Sequence, residues 1–76
     1  MISDKKILKY ILERVEDTEI RLVQALADDI SRKEIAENMG ISVRTVELYF
    51  FNLRKKFECK KESALITIFF RAKLIK

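Results

Sequence analysis

The chain has 76 residues, 49% of them hydrophobic, with one glycine, no proline and no histidine; that suits one small domain and is too apolar for a disordered one. Its net charge is +4 and its single cysteine, Cys59, has no internal partner, which excludes a disulfide scaffold and fits a cytoplasmic setting. No apolar run approaches the roughly 20 residues of a membrane span, and the start, with Asp4, Lys5 and Lys6 before a helical pattern, is no signal peptide.

β-branched residues nowhere alternate with polar ones over a useful length, so the expected class is all-α. Residues 3–15 repeat Ile7, Leu8, Ile11, Leu12 and Val15 on one helical face, with Ser3 or Asp4 as cap. Glu16, Asp17, Thr18 and Glu19 suit a new helix amino terminus, so a bend is expected near Glu16. The next helix, to about Asp28, turns Leu22, Val23, Leu26 and Ala27 inward; an amino-terminal helix folded over Ile20 would explain an apolar residue there. Asp28 and Asp29 oppose the helix macrodipole. Without His or Cys nearby they are a weak metal signal, and they are read as solvated.

Residues 31–57 read as two helices joined by one tight turn. Ser31 caps the first, and Glu34 three residues on would complete a capping box. The helix runs through Ile35, Ala36 and Met39 and stops at Gly40, placed where a left-handed residue turns the backbone. Ile41 plugs the turn and Ser42 caps the second helix, 42–57. At about 100° per residue, Val46, Tyr49, Phe50, Leu53 and Phe57 fall on one side of it. Arg44, Glu47, Leu48, Phe51 and Lys55 fall opposite, within roughly 60° of their centre. That is a helix-turn-helix with the second helix as reader; alone, the reader is also an ordinary amphipathic surface helix.

After Phe57, Glu58, Cys59, Lys60 and Lys61 form a short link. The last helix, 62–74, is apolar on two sides, through Ala64, Leu65, Ile66, Ile68, Phe69, Phe70, Ala72 and Leu74. One stripe suffices for a core, so the other side is expected against a second subunit, with Ile66, Phe69, Phe70 and Lys73 as the contact. Charge is uneven along the chain. Residues 1–41 hold seven Lys and Arg against nine Asp and Glu, whereas residues 42–61 hold six against two. The positive charge therefore lies on and after the reading helix, as phosphate binding requires, although a charge run is also what a solvated face looks like.

These residues resemble the LuxR/GerE-type DNA-binding domain of bacterial transcription regulators. The likeness lies in Ser31-Arg32-Lys33-Glu34-Ile35-Ala36, in Met39-Gly40-Ile41-Ser42-Val43-Arg44-Thr45-Val46 and in Leu53-Arg54-Lys55-Lys56-Phe57, and reaches back to Glu19 and forward to Ala64-Leu65-Ile66. Glu16 stands where the family has a capping Thr, and Glu58-Cys59 where it has Gly-Val; Cys59 is accordingly read as buried core rather than reactive thiol. The resemblance implies a helix-turn-helix bundle of four helices, 16–76, preceded here by the additional helix 1–15, with the last helix as dimer contact. Larger members follow a receiver or sensing domain, for which fifteen residues leave no room, so a stand-alone member or a fragment is expected.

The expected function is sequence-specific binding of double-stranded DNA by a cytoplasmic homodimer that regulates transcription. Lys33, Arg44, Thr45, Arg54, Lys55 and Lys56 would hold phosphates. Glu47 would accept from cytosine N4, and Leu48 and Phe51 would meet a thymine methyl or exclude water. Alternatively, Glu47 pairs with Arg44 or Arg54 and Phe51 folds onto Tyr49 and Phe50. The second reading is a protein-interaction module contacting RNA polymerase or another regulator. With no His, no Gly-rich phosphate loop and no ligand cluster, no enzyme, metal or cofactor is expected.

Overall fold

The structure, a computed structural model, describes residues 15–76. Four helices follow in order: α1 (Asp17–Ala27), α2 (Arg32–Met39), α3 (Val43–Lys56) and α4 (Glu62–Arg71). The expected helix over 3–15 lies outside the described residues.

Three of the four helices begin on a local hydrogen bond between a side chain and the backbone. Glu16 takes an extended conformation before α1, and its backbone N–H donates to the Glu19 carboxylate at 2.9 Å. Ser31 Oγ accepts from the Glu34 N–H at 3.2 Å, which is half of the expected capping box; the return bond from the cap N–H to the third-position carboxylate is seen at α1, between Glu16 and Glu19. Ser42 Oγ accepts from the Thr45 N–H at 3.1 Å.

All four helices end in the same Schellman arrangement. Two backbone bonds close each one: Asp29 N–H to Leu26 and Ile30 N–H to Ala25, then the equivalent pairs at Gly40–Ile41, Glu58–Cys59 and Lys73–Leu74. The turning residues have φ of 59°, 66°, 54° and 61°. The residue after each, Ile30, Ile41, Cys59 or Leu74, packs against the core. This accounts for Asp29: a short polar side chain tolerates the left-handed region better than most. It also shortens the last helix, which ends at Arg71 rather than near Leu74. Lys73 reverses the chain, Ala72 and Ile75 are buried, and Lys76 N–H donates to Gln24 Oε1 at 2.9 Å, tying the carboxyl end to α1.

Helix α3 packs on α2 and α4, and α4 on α1. Leu22, Val23, Ile35, Ala36, Val46, Phe50, Leu53, Leu65 and Phe69 form one core, while Leu26 and Ala27 are half-buried beside it. Phe57 meets Phe69 edge-on, with centroids 5.4 Å apart. Tyr49, expected inward, is instead 37% exposed. It lines a shallow cleft with Glu16, Thr18 and Asn52 between α1 and α3.

Candidate nucleic-acid interface

Burial divides α3 into two faces. Val46, Phe50 and Leu53 are buried, and the opposite side leaves Arg44, Glu47, Leu48, Phe51 and Lys55 exposed. The helix is oriented by Gly40, which lets Ile41 return toward the core within one residue of α2. A Cβ on Gly40 would meet nothing within 4 Å, so its glycine serves the backbone angle rather than a close approach.

The other end of α3 is held by charge. Arg32 at the start of α2 donates through Nη2 to both oxygens of Glu62, 2.7 Å to Oε1, and Arg54 Nη1 reaches Glu62 Oε2 at 3.2 Å. One carboxylate at the first turn of α4 thus joins α2, α3 and α4. The Arg32 guanidinium also sits 4.8 Å from the centroid of the Phe50 ring, which is entirely buried, and its Nη1 is buried without a hydrogen-bond partner. Lys56 Nζ lies 2.8 Å from the Glu19 carboxylate, which joins α3 to α1.

These ties sort the basic residues expected at phosphate. Arg54 and Lys56 are half-buried and paired within the chain, so they act first as braces. Lys33, Arg44 and Lys55 are exposed, and so are Lys60 and Lys61 of the link. Thr45 shares a hydrogen bond between hydroxyls with Ser42 at 2.9 Å. Glu47 forms no ion pair among the described residues, so the expected alternative of an Arg44 or Arg54 partner is not realised. Phe51 stays 47% exposed, with Lys55 Nζ 5.3 Å and Arg54 Cζ 5.9 Å from its ring centroid.

Of the expected dimer contacts, Phe69 is wholly buried in the chain's own core and is unavailable to a partner. Phe70 is 62% exposed, Lys73 is exposed and Ile66 is half-buried. Burial raises the Cys59 thiol pKa above its ordinary value, which keeps it protonated at neutral pH.

Two residues escaped the sequence reading. Arg32 gives no local sign of its role, because its partner lies 30 positions away. Asn52, exposed on α3, lies about 80° from the centre of the outward face; its amide both donates and accepts, a signal that a wider arc would have caught.

Among the described residues, no helix is long and apolar enough to cross a membrane. The family model GerE, described as bacterial regulatory proteins of the luxR family, matches residues 17–69, more than half of the chain. No curated protein and no solved structure matches it.

Proposed function

The chain belongs to the luxR family of bacterial regulatory proteins, and on that basis we propose that it is a sequence-specific, DNA-binding regulator of transcription. It acts in the cytoplasm as a homodimer, with α3 in the major groove. The observation that carries this reading is the outward side of α3, where Arg44, Glu47, Leu48, Phe51 and Lys55 are exposed together while the other side is buried. Lys33, Arg44, Lys55, Lys60 and Lys61 then supply phosphate contacts, which set affinity and register; Arg54 and Lys56 join them only by leaving Glu62 and Glu19.

Glu47 is acceptor-only when ionised, so in the groove it accepts from cytosine N4 and is repelled by phosphate. Residues 16–76 are the DNA-binding domain in this reading, with α4 as its dimerisation helix and Phe70 as the anchor of the subunit contact. Two-fold symmetry then sets the two reading helices about 34–36 Å apart, one DNA turn.

The experiment is binding to duplex DNA across a salt series. The log–log slope is expected at about −0.9 per phosphate contacted, several contacts per subunit, and a flat slope rejects the proposal. Glu47→Ala relaxes preference at one base pair, whereas Lys55→Ala weakens all sequences alike and shrinks the slope. Phe70→Glu gives a folded monomer by sedimentation, with weakened operator binding.

A second reading has its own support. Leu48 is 54% exposed and Phe51 47%, which also suits an apolar contact with RNA polymerase or another regulator. Such a contact survives rising salt, and the same titration separates the two.

A further inference from the structure

Leu48 and Phe51 are the most exposed large apolar side chains of α3. Three positions apart, they are neighbours on one helical face. On the same exposed face Arg44 stands one turn before Leu48 and Lys55 one turn after Phe51, with Glu47 beside Leu48. Lys55 and Arg54 stand near the Phe51 ring, and Arg54 is itself held by Glu62. Phe51 nonetheless stays 47% exposed beside these cations.

An apolar pair rimmed by cations fits a polyanion that presents apolar groups inside a groove. Neither side chain has a donor or an acceptor, so neither can read the hydrogen-bonding groups on base edges. The feature of the major groove complementary to them is the 5-methyl group of a pyrimidine. Glu47, adjacent to Leu48 and one turn before Phe51, adds an acceptor for a cytosine N4–H, and 5-methylcytosine offers that donor beside a methyl group. We propose that Leu48 and Phe51 form a subsite for a pyrimidine 5-methyl group, that of thymine or of 5-methylcytosine, and so set base preference at that step. The inference deepens the DNA-binding reading above and rests on it.

The test uses the full chain and a duplex obtained by random-site selection with it. Two further copies of the duplex are made, one with deoxyuridine for every thymine and one with 5-methylcytosine for every cytosine. The same three duplexes are titrated with the Leu48→Ala/Phe51→Ala variant, whose changes are confined to exposed positions. Removing a contacted thymine methyl is expected to weaken the wild-type chain about fourfold and to leave the variant unaffected. If the methyl belongs to cytosine, the 5-methylcytosine duplex instead binds more tightly than its parent, again in the wild type alone. Equal loss in wild type and variant assigns the effect to DNA shape and overturns the subsite. Indifference to both replacements, with a steep salt slope retained, overturns it while DNA binding stands. Failure of the selection to enrich any duplex at low salt rejects the DNA reading together with the subsite.

Discussion

The turn into α3 and the turn out of it are closed by the same pair of backbone hydrogen bonds, with Gly40 at φ 66° in the first and Glu58 at φ 54° in the second. Glycine enters the left-handed region without penalty, whereas a residue with a Cβ costs about 1–2 kcal/mol there. The first turn is therefore written locally, in a capped helix, a glycine and a following Ile41. The second is imposed on an unfavourable residue by its surroundings. Cys59 packs beside the core, and three residues further on Glu62 holds Arg32 and Arg54. Reversals of equal geometry can thus rest on local preference or on long-range ties, and the two kinds fail differently under mutation.

The largest effect is expected where the second turn is tied. Glu62→Ala leaves two half-buried guanidinium groups without their carboxylate, and should cost about 2–3 kcal/mol. For a domain of this size that lowers Tm by about 10–20 °C. Thermal melts showing a fall of only a degree or two would mean that the turn stands without its tie. Because Arg32 and Arg54 lie on α2 and α3, the same variant should also loosen the reading helix, seen as faster amide exchange at its carboxyl end.

Gly40→Ala comes next. With no atom within 4 Å of the new Cβ, only the backbone angle is penalised. The net loss is about 1 kcal/mol, after allowing for the unfolded-state entropy that alanine removes. Denaturant titration measures it, and a neutral result would show that the first turn does not depend on its glycine.

The mirror experiment is Glu58→Gly, which should stabilise by about 0.5–1 kcal/mol for the same reason with the sign reversed. Running both substitutions in the same titration tests the comparison directly, since one turn should lose what the other gains.

The smallest effect concerns the residues just after the two turns. Ile41 has no titratable group, whereas burial raises the Cys59 pKa above its ordinary value of 9.0. A raised folded pKa means that this stability is fully present below the unfolded thiol's value and is lost as pH rises through the folded one. Wild-type stability should therefore fall more steeply than that of Cys59→Val at alkaline pH. Identical slopes in the two pH profiles would show that the thiol feels no burial.

Legibility in the sequence tracked the range of the interaction. Ser31, Ser42 and Gly40 act within a few residues of themselves, and each stands where pattern and turn chemistry put it. The outward set Arg44, Glu47, Leu48, Phe51 and Lys55 was readable too, because helical period alone carries it. Tyr49 departs from its expected inward place because its angle lies at the edge of the buried arc, where the packing of α1 against α3 decides exposure. Phe69 and Phe70 differ by one position, and the apolar pattern alone suits either to a subunit contact; only the way α4 packs buries the first and exposes the second.

The sequence was enough to establish that the described residues are helical, where α2 and α3 begin, that they meet at a glycine turn, and which side of α3 faces outward. Those features come from period, capping and backbone preference, all of which act over a few residues. Tertiary packing was needed to make Asp29, Glu58 and Lys73 reverse the chain without glycine and to make Arg54 and Lys56 brace helices. It alone made Glu62 join three of those helices. A left-handed residue other than glycine is held in place when its successor packs against the core, and an ion pair across 30 positions exists only once the helices carrying it have met.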